Sequence, residues 1–124
     1  MESKKLEDEI ECIANKFLEL SVGKEILVLS HFDTDGITSA TILTQTLKKL
    51  DKRFSVKILK RLEDDEIFKL PKDRLIIFLD LASGSLDQIV KANLKDVFII
   101  DHHEIIQEIP SCVHIVNPFL NGKD

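Results

Sequence analysis

Apolar residues recur along the chain in two distinct patterns. In the first segment, Leu6, Ile10 and Ile13 follow the three- and four-residue spacing of one helix face, which predicts an amphipathic helix over residues 4–20. Residues 25–30 form a short, continuous apolar run of the kind found in strands that are buried on both faces of a parallel sheet. The chain is therefore predicted to open with a helix and a buried strand.

Both patterns continue to the end of the sequence. They predict further helices over residues 38–50 and 85–92, and further strands over residues 54–59, 74–80, 96–101 and 112–116. A charged stretch at residues 63–67 precedes Pro71, and residues 117–122 have the composition of a turn. Alternating strands and helices predict that residues 1–124 form a single α/β domain. Its sheet is expected to be open and mostly parallel, with about five strands, helices on both faces and right-handed crossovers.

The composition is that of a globular protein. Of the 124 residues, 44% are hydrophobic and 31% are charged, which excludes disordered and collagen-like chains. No apolar stretch approaches the roughly 20 residues that span a bilayer, and the amino-terminal segment is too charged for a signal peptide. We therefore expect a soluble, cytoplasmic protein with no membrane partner. Cys12 and Cys112 lack C-x-x-C spacing, so neither a disulfide framework nor a zinc ribbon is indicated.

The charge balance limits the possible partners. A net charge of -5 argues against a general nucleic-acid coat protein, because such proteins must neutralise phosphates. A local basic cluster nevertheless runs from Lys48 to Arg61. It fits a solvated helix end and strand edge, or a contact with a phosphate backbone. The candidate nucleic-acid-binding residues in this cluster are Lys52, Arg53, Lys60 and Arg61.

Acidic residues and histidines follow three of the predicted strands. Asp33 and Asp35 follow the first, Asp80 follows the strand over residues 74–79, and Asp101 follows the strand over residues 96–100. Alone, each aspartate could simply cap the next helix. Together at one sheet edge, the carboxylates would repel one another unless they were protonated or bound to cations. Carboxylates mixed with imidazoles favour Mn²⁺ or Mg²⁺, and a pair of such ions implies phosphoester hydrolysis.

Three segments together resemble a known family. The stretch from His31 to Gly36 reads H-F-D-T-D-G, Asp80 ends an apolar run, and residues 101–103 read D-H-H. These resemble the first three motifs of the DHH phosphoesterase superfamily, in particular its RecJ-like branch. The resemblance implies a Rossmann-like parallel α/β domain and two divalent ions, most often Mn²⁺ and sometimes Mg²⁺. It also implies single-stranded DNA or RNA, short oligonucleotides, cyclic dinucleotides or pyrophosphate as substrate, and replication-complex proteins as possible partners.

The resemblance also assigns metal ligands to this sequence. Asp33 and Asp35 would bind metal, and His102 would add an imidazole ligand. Asp80 would bridge the two ions.

The remaining residues of the motifs are expected to take part in catalysis. Asp101 would bind metal or orient the imidazoles, and His103 would hold or protonate the phosphate. His31 is expected to contact phosphate or another ligand, because the metal-binding histidine of the small-substrate branches stands four residues before the first aspartate, where this chain has Leu29.

The family pattern extends beyond the present sequence. A fourth acidic motif and a second domain, often of the DHHA1 type, follow the histidines in the family. Residues 1–124 include neither, so we expect an amino-terminal fragment of a longer nuclease that hydrolyses poorly or not at all on its own.

Two further functional classes remain open. The sequence from Phe32 to Gly36 also resembles the start of haloacid dehalogenases, in which the first aspartate is a nucleophile, although Ile37 stands where that family has threonine. A non-catalytic RecJ-like scaffold subunit of a replication complex is the alternative to an enzyme.

Several other residues have structural explanations. Gly36 is predicted to permit a close backbone approach at the start of a helix, or simply to form a turn. Residues 83–85 are predicted to form a loop and a helix cap, and His114 is predicted to be structural.

Overall fold

The computed structural model describes residues 2–118, with side chains from Leu6 onward. Four helices and five strands alternate along this part of the chain. In order they are α1 (Glu2–Leu20), β1 (Ile26–His31), α2 (Thr34–Lys49), β2 (Phe54–Leu59), α3 (Asp64–Phe68), β3 (Leu75–Leu79), α4 (Leu86–Lys91), β4 (Val97–Ile100) and β5 (Val113–Val116).

The strands form a five-stranded sheet in the order β2-β1-β3-β4-β5. Every neighbouring pair is parallel, which confirms the predicted α/β fold and makes the sheet wholly rather than mostly parallel. After β1 the chain adds β2 on one side, and it then crosses to add β3, β4 and β5 on the other. In such sheets a crevice opens beyond the carboxyl ends of the two strands where the order switches, here β1 and β3.

Helices cover both faces of the sheet, and each face has its own core. Successive residues of a strand point to opposite faces, so Val28 belongs to one core and Leu29 to the other. The face under α1 and α2 buries Val28, Leu47, Ile77 and Phe98, with Phe17 packed against them. The face under α3 and α4 buries Leu29, Ile67, Phe78, Ile89 and Ile99. All five residues of β3 are buried, so the central strand holds the site on a rigid base.

Two helices differ from the sequence prediction. Helix α2 begins at Thr34, four residues before the predicted start at 38, because the Asp33 side chain accepts a hydrogen bond from the Gly36 amide at 2.9 Å and caps the helix. Helix α3 was predicted only as a charged stretch. Its first turn carries the acidic residues Asp64, Asp65 and Glu66, which the amino-terminal end of a helix dipole stabilises. Of the predicted turn at 117–122, residues 119–122 lie outside the described residues.

Over the part of the chain that the structure describes, no helix combines the length and apolar character needed to cross a membrane.

Candidate metal centre

The candidate residues from three strands meet at one edge of the sheet. Strand β1 ends at His31, and Asp33 and Asp35 follow at the start of α2. Asp80 follows β3 directly. The segment from Asp101 to His103 follows β4, and contacts between these groups, described below, bring all of them into one centre.

Close packing between β1 and α2 fixes the position of Asp33. The Ser30 hydroxyl donates to the Gly36 carbonyl at 2.6 Å, and the Gly36 amide donates to the Asp33 carboxylate. A Cβ atom at position 36 would overlap the carbonyl group of His31. Glycine is therefore required there for the close approach, which is one of the two roles predicted for it.

His31, Asp33 and Asp80 form the first group of possible metal ligands. The His31 Nδ1 atom lies 3.0 Å from an Asp33 oxygen and 3.3 Å from an Asp80 oxygen. Its Nε2 atom lies 3.0 Å from the carbonyl oxygen of Lys60, and a carbonyl can only accept a hydrogen bond. Nε2 is therefore a hydrogen-bond donor, and Nδ1 faces the two carboxylates, which accept a hydrogen bond from it when it also carries a proton.

Asp80 also belongs to a second group, which contains Asp101, His102 and His103. The His102 Nε2 atom lies 2.7 Å from Asp80 Oδ1 and 3.6 Å from Asp35 Oδ2. Asp80 thus presents one oxygen to each histidine: Oδ2 to His31 and Oδ1 to His102. This is the arrangement expected of a carboxylate that lies between two cations.

Asp101 differs from Asp80 in its hydrogen-bond donors. Its Oδ1 atom accepts from the His102 amide at 2.8 Å, from the His103 amide at 3.3 Å and from His103 Nδ1 at 2.5 Å. Its Oδ2 atom accepts from the Ser83 amide at 3.3 Å. A carboxylate that already accepts this many hydrogen bonds is suited to orient the histidine loop.

The pKa values of the two buried aspartates shift in opposite directions. Burial, followed by the neighbouring Asp33 carboxylate, raises the pKa of Asp80. For Asp101, burial also acts to raise the pKa, but hydrogen bonds from Ser83 and from the histidine loop outweigh it and the net shift is downward. The ionised form of Asp101 is therefore favoured, whereas the contacts of Asp80 with His102 and His31 do not fully offset burial and the Asp33 carboxylate.

The pKa values of His31 and Asp33 report the same mutual attraction. Burial alone lowers the pKa of His31, but the interactions with Asp80 and Asp33 outweigh it and raise the pKa overall. For Asp33, the hydrogen bond from the Gly36 amide is the largest cause; with the contacts to Asp80 and then His31 it outweighs burial and lowers the pKa.

The backbone at Asp80 adopts an unusual conformation. Its φ angle is +59°, and that of Ala82 is +83°, in the left-handed region that non-glycine residues rarely occupy. Aspartate tolerates this region better than most residues, and such conformations concentrate at functional sites.

The donor set fits hard divalent cations. It combines aspartate oxygens with imidazole nitrogens, and neither candidate group in the described chain includes a cysteine. This chemistry suits Mn²⁺ or Mg²⁺ better than cations that select thiolates. A cation would also supply positive charge to the buried Asp80 carboxylate.

The predicted basic residues are divided between two edges of the sheet. Lys60 and Arg61 follow β2 at the edge that carries the centre, and the Lys60 carbonyl contacts His31. Lys52 and Arg53 precede β2, and the Arg53 carbonyl accepts from the Ile26 amide at the opposite edge. At about 3.3 Å per residue, β2 separates the two pairs by roughly 20 Å.

Sequence reasoning missed two buried residues that support the centre. Ser83, predicted as part of a loop and cap, and Asn117, predicted as part of a turn, are both buried and hydrogen-bonded to each other. Asn117 directly follows β5, just as the aspartates follow their strands. The rule that found the aspartates could therefore have found Asn117. His114 packs against Phe98 and contacts Asp96, away from the centre.

Comparisons with known proteins identify relatives of the sequence. A family model described as the DHH family, N-terminal domain, matches residues 25–123. An uncharacterized protein of Methanocaldococcus jannaschii is 35% identical over 107 residues, which cover 80% of this chain and 24% of the relative. The single-stranded-DNA-specific exonuclease RecJ of Bacillus subtilis is 30% identical over 109 residues, which cover 80% of this chain and 14% of the relative.

Solved structures share the fold. RecJ from Thermus thermophilus in complex with Mn²⁺ matches with a TM-score of 0.64 and 21% identity, over 93% of this chain and 17% of that one. An exonuclease RecJ bound to manganese matches with a TM-score of 0.69 and 19% identity, over 93% of this chain and 31% of that one. The chain thus spans 24% and 14% of the lengths of the two curated relatives.

Proposed function

The chain belongs to the DHH family, and from this membership and the geometry of the centre we propose that it carries the metal-binding part of a phosphodiesterase that acts on single-stranded nucleic acid. The family membership favours this function over that of a haloacid dehalogenase. An exonuclease of the RecJ type is the activity we infer, since a single-stranded-DNA-specific RecJ is among the relatives.

The position of Asp80 between two sets of ligands is the observation that supports this proposal most directly. Asp80 is nearly fully buried, and its two oxygens face His31 on one side and His102 on the other. A buried carboxylate shared in this way is suited to bridge two cations. In our proposal Asp33 and His31 would be the other ligands of one cation, and Asp35 and His102 would be the other ligands of the second. Manganese is the cation we propose, since both RecJ structures are described with it.

We assign His31 to the metal, which differs from the contact with phosphate or another ligand that was expected from the sequence. The Lys60 carbonyl fixes the proton on Nε2, so Nδ1 can face a cation together with Asp33 and Asp80. Histidines that bind metal commonly donate their other ring N–H to a carbonyl or carboxylate, as His31 does here.

Two divalent cations, when bound, would lower the pKa of a water molecule and neutralise charge on the phosphoryl oxygens. The residues of the chain would do the rest. Asp101 holds the His103 ring through Nδ1, which leaves Nε2 for the substrate; in the imidazolium form Nε2 would donate a hydrogen bond or its proton to a phosphate oxygen. The His103 side chain is 55% exposed, so a substrate can reach it.

Residues beside the centre favour a nucleotide chain over pyrophosphate as the substrate. The Phe32 ring is 49% exposed and lies edge-to-face against His31, with ring centroids 5.2 Å apart. Exposed aromatic rings next to positive charge stack nucleobases in proteins that bind single strands. Lys60 and Arg61 follow β2 on the same side and would contact the phosphate backbone.

Metal binding and hydrolysis can be tested on the same protein. We expect isothermal calorimetry to show Mn²⁺ binding that Asp80→Asn weakens at least about tenfold, and that the exposed control Asp73→Asn leaves unchanged. In the full-length protein that carries this chain we expect Mn²⁺-dependent cleavage of single-stranded oligonucleotides, with duplex DNA and pyrophosphate cleaved more slowly. Metal binding without cleavage by the full-length protein would favour the scaffold function, and pyrophosphate as the better substrate would favour a small-substrate phosphoesterase.

The division of the basic residues provides a separate test of the nucleic-acid contact. Each phosphate contact contributes about 0.7 to the slope of log affinity against log salt concentration for a single strand. We expect Lys60→Ala and Arg61→Ala each to reduce that slope, whereas Lys52→Ala and Arg53→Ala, at the far edge, leave it unchanged. Equal effects of all four substitutions would contradict the proposed path of the strand along the centre.

A further inference from the structure

Asn117 connects the end of β5 to the loop that carries the histidines. Its side chain is completely buried. Its Nδ2 atom donates to the His103 carbonyl oxygen at 2.8 Å and to the Ser83 hydroxyl oxygen at 3.2 Å. An asparagine amide carries two N–H donors, so these two contacts use both of them. Asn117 therefore joins the loop after β3, which contains Ser83, to the loop after β4, which contains His103.

Ser83 continues this connection to Asp101. Because Asn117 donates to the Ser83 oxygen, the hydroxyl proton is free to point elsewhere. The Ser83 amide donates to the Asp101 carboxylate at 3.3 Å. Asp101 in turn accepts from His103 Nδ1 at 2.5 Å.

We propose that Asn117 is a positioning residue that orients the His103 imidazole, holding its backbone directly and its ring through Ser83 and Asp101. The contact with the His103 carbonyl fixes where the residue sits, and the relay through Asp101 fixes which ring nitrogen points away from the protein. The catalytic meaning of this orientation rests on the proposed function, in which His103 Nε2 meets the phosphate. The orientation itself is a property of the chain alone.

The chemistry of the network argues against a purely space-filling role for Asn117. Asn117, Ser83 and Asp101 are all buried, and a buried polar group is retained only at a cost unless its hydrogen bonds are made. Filling space beside β5 needs only an apolar side chain. Both donors of Asn117 instead go to the two loops that carry Asp80 and His103. The three network residues stay buried while the His103 side chain, which they hold, is exposed to a substrate.

The test uses Asn117→Ala and Ser83→Ala, with Ser85→Ala as the matched control. Ser85 lies in the same loop at the N-cap position of α4, and its side chain makes no capping hydrogen bond. The first measurement is the nitrogen-bound proton of His103 Nδ1, observed by ¹H–¹⁵N NMR in the metal-free protein and assigned with a His103→Gln variant. The other measurements are the Mn²⁺ dissociation constant and the kcat and KM for a single-stranded oligonucleotide.

We expect the Nδ1–H signal to be protected from solvent in the wild type and in Ser85→Ala. In Asn117→Ala it should be broadened or lost, with an intermediate effect in Ser83→Ala. We expect kcat to fall about 10- to 100-fold in Asn117→Ala, with KM and the Mn²⁺ dissociation constant changed less than about threefold.

A wild-type Nδ1–H signal in both test variants would overturn the inference. So would a loss of Mn²⁺ affinity as large as the loss of kcat, since the network would then position metal ligands rather than His103. If Asn117→Ala does not fold, Ser83→Ala, which removes less of the network, is judged by the same measurements. The cleavage constants are measured in the full-length protein that carries this chain. If its wild type does not cleave, the proposed function fails, and the NMR comparison still decides whether Asn117 orients His103.

Discussion

Replacing Asp80 by asparagine is expected to have different effects with and without a divalent cation. In the metal-free protein, burial and the neighbouring Asp33 raise the pKa of Asp80, so the folded state binds its proton more tightly than the unfolded state does. Stability due to this group is therefore present at low pH and falls as the pH rises from the usual aspartate range through the raised pKa. Asp80→Asn replaces the carboxylate by a neutral amide, and at neutral pH this removes the loss of stability that ionisation of Asp80 causes. Asparagine also tolerates the φ angle of +59° at this position.

The size of the metal effect can be estimated from linkage. A ligand at 100 times its dissociation constant stabilises the folded state by about 2.7 kcal/mol. With an unfolding entropy of about 2.1 cal/mol/K per residue, a chain of 124 residues has about 0.26 kcal/mol/K in total. Saturating Mn²⁺ should therefore raise the melting temperature of the wild type by about 10 °C. Asp80→Asn removes the residue that both ligand groups share, and a dissociation constant at least about tenfold weaker limits the rise to about 5 °C or less.

Thermal unfolding followed by circular dichroism, in chelator and in excess Mn²⁺, measures both effects. In chelator, Asp80→Asn should melt at or above the wild-type temperature. The control is Asp73→Asn, an exposed aspartate before the other end of β3, which should behave as the wild type in both conditions. A Mn²⁺ shift of wild-type size in Asp80→Asn would refute the shared-ligand geometry. A much lower melting point in chelator would show that its hydrogen bonds to the histidines outweigh the cost of burying the carboxylate.

Three further predictions concern single residues. Protons compete with the cation for His31 Nδ1, because the pKa of His31 is raised. Mn²⁺ affinity measured by calorimetry should therefore weaken as the pH falls from about 8 to about 6. An affinity that does not change with pH would contradict this. Gly36→Ala should lower the free energy of unfolding in urea by about 1–3 kcal/mol, because the added methyl group overlaps the His31 carbonyl. Unchanged stability would be inconsistent with that packing. His103→Gln should lower oligonucleotide cleavage about 100-fold or more while Mn²⁺ binding stays within about threefold, and a parallel loss of both would make His103 a metal ligand.

The fold and the location of the centre could be predicted because both follow from the order of apolar runs. Buried strands such as β3 are short and continuously apolar, and the carboxyl ends of parallel strands lie at one edge. Knowing which residues follow each strand was enough to expect Asp33, Asp80 and Asp101 near one another. The start of α2 was predicted four residues late because the helix was placed by its apolar periodicity, whereas the helix begins at the cap formed by Asp33 and the Gly36 amide.

Features set by tertiary contacts could not be predicted in the same way. The contact between the Lys60 carbonyl and His31 depends on the pairing of β2 with β1, which no local pattern in the sequence specifies. The left-handed backbone at Asp80 is likewise imposed by its surroundings. The separation of Lys52 from Lys60 could have been foreseen, because a strand was already predicted between them and a strand of that length moves its ends far apart.

The environments of Asp80 and Asp101 explain why two aspartates at equivalent strand ends are suited to different roles. Both follow a buried parallel strand, and both are nearly inaccessible to solvent. Asp101 accepts hydrogen bonds from three backbone amides, those of Ser83, His102 and His103, and from the His103 ring, and its pKa is lowered. Asp80 faces the carboxylate of Asp33, and its two oxygens contact ring nitrogens of His31 and His102 instead of backbone amides. A cation can take the place of these ring contacts at Asp80 but has no comparable opening at Asp101. The number of fixed backbone donors around each carboxylate therefore decides which one holds the histidine loop and which one is left for metal.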